Sequence, residues 1–512
     1  MSASWETFGR PALRPRRIRG GEIPTPSGVS WREQQRQARA QADASRKAAA
    51  QQGRMAEAPS FGFHIGGLWV DGDALFAFAL FLPMAYLVQF GTVGAAMIAG
   101  LTPIYLFCRR NQLERALAPR LFLYAFPAFA LFSAVWSDVP AETLKYALEL
   151  WVTVTAALLL SSARNQRAVI KAIALAFLIY VIDALLTGRQ VVVGVGAGGM
   201  AFSGLTQSKN LMAEIASTGL VISGAVMVMS LHWRQWLWFG IFAVGACLEL
   251  YAVMQARSAG AMLGLALGLV PLLVLSPLVN AGRPLRAWLT GAVALTIVFI
   301  ALNIRALMTL MMNLGAELFD KDPTLTGRTY LWYRAFDLIQ EKPVLGRGYF
   351  SFWLQGNIDA EGLWRYAGIV DRSGFNFHNT LVDLLVTVGW LGAAILIATA
   401  LIGAVALIRR FILRPDLPLV FWIAILLYQL ARMPIETLGI QPFYFSTTLV
   451  FAALGAAFGR LPAPRPAHRP IRSATPVQVW PVDYADEAWA NPRLAPARGS
   501  LRLLRRREET EE

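Results

Sequence analysis

The sequence predicts an all-α, polytopic membrane protein with about twelve transmembrane helices. Of its 512 residues, 56% are hydrophobic and only 15% are charged, whereas about a quarter of the residues in a soluble domain are charged. Between residues 73 and 459, apolar runs of roughly 20 residues follow one another with mostly short polar connections, and that length crosses a bilayer. This pattern argues against an ordinary water-soluble enzyme.

The predicted spans leave only one long connection, from about Met311 to His378, between the ninth and the tenth span. We expect the transmembrane domain at 73–459 and, within it, a long periplasmic loop at 311–378. The predicted spans lie at about 73–90, 91–107, 120–136, 142–162, 168–187, 210–230, 236–254, 259–279, 287–309, 380–408, 417–435 and 441–459.

Two basic tails flank this domain. Residues 1–72 contain an Ala-, Gln- and Arg-rich stretch without an apolar face, which predicts a disordered tail. No apolar segment follows a short basic start, so we expect no signal peptide. Residues 460–512 are rich in Pro and Arg and predict a second disordered tail. Both tails are expected in the cytoplasm.

The distribution of basic residues predicts the orientation of the chain. Lys and Arg number 47 against 32 Asp and Glu, which gives a net charge of +15. One set of loops carries most of the arginines, and by the positive-inside bias these loops and both termini are cytoplasmic. The excess charge is thus explained by topology, and we expect no nucleic-acid partner. The arginine-rich loops contain Arg109, Arg110, Arg115, Arg120, Arg164, Arg167, Arg234, Arg283, Arg286, Arg409, Arg410 and Arg414.

Acidic residues inside the predicted spans lie mostly near their outer ends. Ionisable groups in a span usually face the interior of a bundle or a wet cavity, so their shared depth predicts a polar cavity open to the outer leaflet. The alternative is purely structural pairing, for example of Glu149 with Lys145 or of Glu249 with a neighbouring helix. These acids are Glu149, Asp183, Glu214, Glu249 and Asp383.

Basic residues on the outer side are candidates for binding an anionic substrate. Lys209 and Asn210 open a helix after a polar turn, where a helix N-terminus favours an anion, although an ordinary cap is the alternative. Arg257 lies at an outer junction among small residues, and Arg432 lies near the outer end of the eleventh predicted span. Snorkelling to lipid headgroups is the alternative for Arg257.

The long loop carries further candidates. Arg328 lies in the first turn of a predicted helix that Pro343 ends, and a turn containing Arg347 follows. An arginine adds to the positive end of a helix, which disfavours the isolated helix but favours a bound pyrophosphate. His378 lies where the loop returns to the membrane, beside Asn379, which can cap the next helix.

Other residue types carry little signal. Cys108 and Cys247 are the only cysteines, and no HExxH or CxxC motif is present. We therefore expect no metal site and no cofactor. Several loop aromatics could stack on sugar rings or anchor the loop at the interface: Trp332, Tyr333, Tyr349, Trp353, Trp364 and Tyr366.

Five motifs occur in an order typical of one family. They are WSDVPAETLK, GLTQSKN, RSAG, GRTYLW with KPVLGRGY, and HNTLVDLLVTVGWLG. Over about 73–459 the chain resembles the O-antigen ligase and O-antigen polymerase superfamily, and within it exopolysaccharide polymerases of the ExoQ type. The register of the junction arginine differs, because Arg257 precedes Ser258 whereas the family often has Ser-Arg.

The resemblance implies a GT-C-like glycosyltransferase of the bacterial inner membrane with its active site on the periplasmic face. It implies a polyprenyl-diphosphate-linked glycan as donor, a glycan or lipid as acceptor, inversion at the anomeric carbon and no metal. The family's functional residues fall on Arg257, Arg328 and His378.

Three functions stay open at this stage. We expect a polymerase that extends exopolysaccharide or O-antigen, together with export or chain-length-control proteins as possible partners. A ligase that transfers finished glycan to lipid A core or protein uses the same donor. A lipid-glycan or small-molecule transporter is the alternative from another class, but ionisable groups near the midplane of both halves would suit it better.

Overall fold

The computed structural model describes residues 61–458, except 66–67, 194–198, 207, 303–325, 371 and 373–374. Most of the described residues are helical. Two antiparallel hairpins pair β1 (Gly62–Ile65) with β2 (Leu68–Asp71) and β3 (Arg189–Val193) with β4 (Gly199–Gly204). The first hairpin lies inside the segment predicted to be a disordered tail; the rest of that tail and the C-terminal tail lie outside the described residues.

The helices follow the predicted spans closely. The twelve helical elements that correspond to these runs are α1 (Gly72–Ala85), α3 (Thr92–Cys108), a segment that begins as a 3-10 helix at Ala118 and includes α5 (Ala125–Phe132), α6 (Pro140–Ser161), α7 (Gln166–Thr187), α8 (Lys209–His232), α9 (Trp236–Gln255), α10 (Ala259–Leu278), α11 (Arg283–Leu302), α14 (Thr380–Leu413), α15 (Leu417–Arg432) and α16 (Phe445–Ala456). The other α-helices of the described residues are α2 (Leu87–Phe90), α4 (Leu113–Leu117), α12 (Thr326–Glu341) and α13 (Ile358–Ala367).

Seven helical segments of the described chain are long and apolar enough to cross a membrane. Four shorter apolar helices, α1, α3, α15 and α16, accompany them. The chain is thus a mostly helical, multi-pass membrane protein, and crossing by all twelve stays a prediction. The seven segments are Ala118–Val135, Pro140–Ser161, Gln166–Thr187, Lys209–His232, Trp236–Gln255, Ala259–Leu278 and Thr380–Leu413.

Helix ends that were predicted to share the inner face contact one another. Arg109, at the end of α3, lies 3.4 Å from Asp73 at the start of α1 and donates to the carbonyl of Leu159 near the end of α6 at 2.7 Å. Arg120 donates to the carbonyl of Gly455 near the end of α16 at 2.8 Å. Arginines here bind carbonyls at helix C-termini, where a positive charge is favourable.

The predicted loop contains helices α12 and α13, and α12 ends two residues before Pro343, as predicted. The loop also contacts α14. The 34 residues of this helix would span about 51 Å if the helix were unbroken. Gly389 has a φ of +62° and interrupts the helix there. The backbone N–H groups of Trp390 and Leu391 bind the carbonyls of Pro343 and Val344 at 2.9 and 3.1 Å. The loop thus satisfies the polar groups that the break frees.

Helices α10 and α15 pack at very short range along a stripe of glycines. A Cβ atom on Gly260 would lie 2.6 Å from the Ile435 side chain, and one on Gly264 would lie 2.5 Å from Arg432. Gly268 faces Tyr428 in the same way. Small residues four apart let two membrane helices approach closely. This contact carries Arg432 and Ile435 against α10.

We therefore expect Gly264→Ala to lower stability by about 1–3 kcal/mol, since the added methyl group overpacks a buried contact. Thermal unfolding of the detergent-solubilised protein measures the effect. Gly240→Ala is the matched control, because no atom lies within 4 Å of a Cβ at that position. An equal shift in both variants would contradict the proposed packing constraint.

Candidate functional site

The site forms around the loop that joins α15 to α16, residues 433–444, here termed the 433–444 loop. Pro434 lacks the N–H that would continue α15, and the carbonyl of Arg432 instead accepts from Ile435 and Glu436 at 2.9 Å each. The loop begins at Met433, whereas the eleventh span was predicted to run to residue 435. The turn places Glu436 just beyond the helix end.

The start of α14 holds this loop in place. The backbone N–H of Thr380 donates to the carbonyl of Met433 at 2.9 Å, and its hydroxyl donates to the carbonyl of Glu436 at 3.0 Å. The same hydroxyl accepts the N–H of Leu438 at 2.9 Å. The backbone of Glu436 is therefore fixed on both sides.

The carboxylate of Glu436 joins the two principal residues predicted from the sequence. Its Oε1 atom lies 3.1 Å from Nη2 of Arg328, and its Oε2 atom lies 3.1 Å from Nδ1 of His378. Arg328 also donates from Nη1 to the carbonyl of Ile435 at 2.6 Å. The structure thus brings Arg328 of α12 and His378 of the loop return onto one carboxylate.

The charges around Glu436 keep it ionised. Burial alone would raise its pKa, but the hydrogen bond with His378 and the charges of Arg328, His378 and Arg432 outweigh burial and lower the pKa to about 2. An ionised carboxylate only accepts hydrogen bonds, so Nδ1 of His378 carries a proton. In a neutral imidazole Nε2 is then an acceptor that can take a proton.

The backbone of His378 is held in an uncommon conformation. Its φ is +51°, which is costly for a residue with a side chain. The side chain of Asn376 accepts its N–H at 2.8 Å, and Asn379 caps α14 by accepting the N–H groups of Leu381 and Val382. These contacts direct the imidazole toward Glu436.

Asp383 anchors the segment that carries His378. Its carboxylate accepts the N–H of Phe377 at 3.2 Å, the indole N–H of Trp353 at 3.3 Å and the hydroxyl of Thr437. Asp383 was predicted to bind substrate, but three protein donors already occupy this buried carboxylate. Its observed contacts hold the loop return and the 433–444 loop together.

Arg432 and Glu214 form a second charged pair, next to the 433–444 loop. Nη2 of Arg432 is 3.9 Å from Oε2 of Glu214, and the Tyr444 hydroxyl donates to the same oxygen at 3.0 Å. Nη1 of Arg432 donates to the Tyr428 hydroxyl at 2.9 Å. Arg432 and Glu214, both predicted as substrate-binding, are thus buried neighbours on α15 and α8.

The outer junction between α9 and α10 borders this region. Ser258 donates to the side chain of Asn210 at 3.3 Å, which joins the junction to the start of α8 beside Lys209. Gly260, one turn beyond Arg257, packs on Ile435, whose carbonyl binds Arg328. Arg257 is exposed, with a φ of +46°, at the edge of the same cluster.

Arg347, a further predicted substrate-binding residue, belongs to a different cluster. It forms ion pairs with Glu341 and, at 3.3 Å, with Asp138, which also pairs with Lys342. Its backbone N–H donates to the carbonyl of Val386, beside the break in α14. The contacts described for Arg347 join the WSD turn to the loop, and none reaches His378.

Two further acids predicted near the outer ends of spans, Asp183 and Glu249, have their own neighbours in the structure. Asp183 accepts from the Tyr86 hydroxyl at 2.7 Å, and Glu249 is fully buried against Gly219 of α8. Lys145 forms its ion pair with Glu142 at 3.4 Å. One polar cavity lined by all these acids stays a prediction.

The loop aromatics divide by exposure. Tyr349 and Trp364 are buried, and the indoles of Trp332 and Trp353 donate to Phe377 and Asp383. Tyr333 and Tyr366 are exposed. The buried rings form the core of the loop, and only the exposed ones stay candidates for sugar stacking.

Sequence reasoning missed Glu436, the residue that joins the site. One signal was available: an acid between the last two predicted spans, four residues after Arg432 and flanked by Pro434. Because it follows Arg432 so closely, this acid is a candidate partner for that arginine and for the other basic residues predicted on the outer side.

Two comparisons relate the sequence to known proteins. Residues 244–397 match the sequence model of the O-antigen ligase family. The chain is also 29% identical over 420 residues to the exopolysaccharide production protein ExoQ of Rhizobium meliloti (strain 1021), covering 80% of this chain and 91% of the relative. The chain is thus similar to the O-antigen ligase family over this range and to an exopolysaccharide production protein over most of its length.

These similarities support a role in polysaccharide biosynthesis at a membrane. The range that matches the O-antigen ligase family contains Arg257, Arg328 and His378. It ends before Arg432 and Glu436. The carboxylate that joins the site therefore lies outside the matched range.

The lowered pKa of Glu436 predicts a pH dependence of stability. Because its pKa is about 2 in the folded protein and ordinarily about 4.5, its ionised form stabilises the fold above pH 4.5. This contribution, on the order of 3 kcal/mol, is lost as the pH falls toward 2. We expect the thermal midpoint of Glu436→Gln to lie below that of the wild type at pH 6 and to approach it near pH 3. A constant difference across this range would contradict the assignment.

Proposed function

We propose that the chain is a membrane glycosyltransferase that polymerises polyprenyl-diphosphate-linked oligosaccharide repeat units into exopolysaccharide or O-antigen. The observation that carries this proposal is the convergence of Arg328 and His378 on Glu436. Similarity to a protein of exopolysaccharide production supports the choice of a polymerase. The site lies, in this proposal, at the periplasmic face of the inner membrane.

The reaction needs a leaving group to be neutralised and a hydroxyl to be deprotonated. The acceptor hydroxyl attacks the anomeric carbon from the side opposite the diphosphate, the new C–O bond forms, and the bond to the diphosphate oxygen breaks. This geometry inverts the anomeric centre. Arg328 and Arg257 would bind the departing diphosphate, since charged guanidinium groups form strong, directional hydrogen bonds with phosphate oxygens.

The proton of the acceptor hydroxyl passes to Nε2 of His378. The hydrogen bond from Nδ1 to Glu436 leaves Nε2 as the basic nitrogen and orients the ring. Imidazole is suited to this role because it titrates near neutral pH. Lys209 and Asn210, at the start of α8, would bind the donor beside the α9–α10 junction.

A ligase is the second candidate, and the match to the O-antigen ligase family favours it. It would transfer the glycan from the same diphosphate donor to lipid A core or to a protein. The donor site would be identical, so the two functions differ only in the acceptor and in the partners, among them export or chain-length-control proteins.

Reconstitution into proteoliposomes with a lipid-diphosphate-linked repeat unit tests the proposal. We expect polymer without any ion gradient, a result that a transporter would not give. His378→Ala should lower the rate by about a hundredfold or more, as loss of a general base does. Arg328→Lys should lower it by at least about tenfold, because a compact ammonium group lacks the planar fork that can hold the Ile435 carbonyl and the diphosphate at once.

The matched controls are His64→Ala, on the exposed first hairpin, and Arg372→Lys, on the outer loop with its side chain 49% exposed. Both should retain the wild-type rate. Wild-type turnover in His378→Ala or Arg328→Lys would refute the role assigned to that residue.

A deletion strain separates the polymerase from the ligase. Loss of a polymerase should leave single repeat units on the lipid carrier, because chain extension stops before the second unit is added. Loss of a ligase should leave long chains on the carrier. Analysis of the extracted carrier lipids by mass spectrometry and gel electrophoresis shows which of the two accumulates.

A further inference from the structure

One carboxylate serves two residues with different tasks in the proposed reaction. Oε1 of Glu436 binds Arg328, the proposed diphosphate ligand, while Oε2 binds His378, the proposed base. The side chains of Glu436, Arg328 and His378 are 13%, 19% and 23% exposed, so the cluster lies at a rim that a ligand can reach. The diphosphate and Glu436 would therefore compete for one guanidinium.

We propose that Glu436 is a positioning residue that couples donor binding to the action of His378. In this inference, which rests on the proposed function, the donor diphosphate takes Arg328 from Glu436. The carboxylate then holds His378 alone and stabilises the imidazolium that forms when the acceptor loses its proton.

The contacts of Arg328 allow such an exchange. Nη1 is bound to the backbone carbonyl of Ile435 at 2.6 Å, and only Nη2 contacts the carboxylate. The carbonyl can keep the guanidinium in place while Nη2 changes its partner from carboxylate to phosphate. Arg328 would thus bind the donor without a large movement of α12.

The fixed backbone of Glu436 keeps the carboxylate within reach of His378 after the exchange. Thr380 binds the Glu436 carbonyl, and the loop start is tied to α14 through Met433. Without the ion pair to Arg328, the negative charge of the Glu436 carboxylate is less well neutralised. A carboxylate beside an imidazole favours the protonated ring, as required when the ring accepts a proton.

Other charged groups face this pair from each neighbouring element. Arg432 of α15 and Arg328 of α12 act on Glu436 from the positive side. Asp383 of α14 acts on His378, and Glu214 of α8 lies within electrostatic range of Glu436. The pKa of about 2 keeps Glu436 charged at every pH at which the enzyme would work. Arg328 can therefore change its partner from Glu436 to the diphosphate while Glu436 stays ionised.

The test separates donor affinity from turnover in the full-length protein. Binding of polyprenyl diphosphate and the steady-state rate with the lipid-linked repeat unit are measured in nanodiscs for the wild type and Glu436→Gln. We expect Glu436→Gln to bind polyprenyl diphosphate at least as tightly as the wild type, because its competitor has lost its charge. We expect its kcat to fall by at least about tenfold, since the base is less well supported.

Glu436→Asp keeps the charge on a shorter side chain and should recover part of the lost kcat. Glu142→Gln is the matched control, because Glu142 is an exposed acid at the outer start of α6, paired with Lys145. It should leave affinity and kcat unchanged. If Glu436→Gln does not fold, Glu436→Asp is judged by the same split between affinity and kcat.

Two results would overturn the inference. One is an equal loss of donor affinity and kcat in the Glu436 variants, which a merely structural role of the loop would produce. The other is an unchanged kcat in the Glu436 variants. A wild type that neither binds the carrier nor forms product would instead refute the proposed function, and this outcome is recognised before any Glu436 variant is compared.

Discussion

The ion pairs of Glu436 are the interaction on which the outer site depends. A largely buried carboxylate is costly to keep ionised unless opposite charges and hydrogen bonds surround it. Here Arg328 comes from α12, His378 from the loop return, and Arg432 from the end of α15. These three residues are distant in sequence, so each element that carries one must be fixed independently. Much of the observed local structure around Glu436 fixes these elements in place.

Two interruptions of regular helix make the arrangement possible. Pro434 ends α15 early and frees a loop that turns over the start of α14, where Thr380 binds it. Gly389 breaks α14 and receives the backbone of residues 343–348, which joins the long loop to the membrane domain. The glycine stripe of α10 allows Ile435 and Arg432 to pack closely against this helix. Backbone irregularity is thus confined to places where neighbouring chain satisfies the freed polar groups.

The sequence predicted the helices well because apolar runs of bilayer length are a strong signal. It also singled out Arg328 and His378, whose motifs stand at recognisable positions in the loop. It did not predict Glu436, because the eleventh span was extended to residue 435 and the actual helix ends three residues earlier. Arg347 was predicted to bind substrate together with Arg328 and His378. The sequence shows no pattern that predicts the helix break at Gly389, which brings the loop of Arg347 next to Asp138. The hairpin at Arg189–Val193 and Gly199–Gly204 was missed because its Gly- and Val-rich strands resemble a connection between spans.

The charges of the largely buried groups around Glu436 balance one another. With His378 neutral, the two arginines Arg328 and Arg432 offset the two acids Glu214 and Glu436, so this cluster has no net charge to attract an anion. The donor in the proposed function, a diphosphate diester with about two negative charges, would need positive charge beyond this balance. Arg257 and Lys209, at the neighbouring outer ends of α9 and α8, lie where such charge is required. In the proposed function the largely buried ion pairs hold the architecture and these two basic residues attract the anionic donor, which would account for basic residues on a face that the positive-inside bias leaves poor in them.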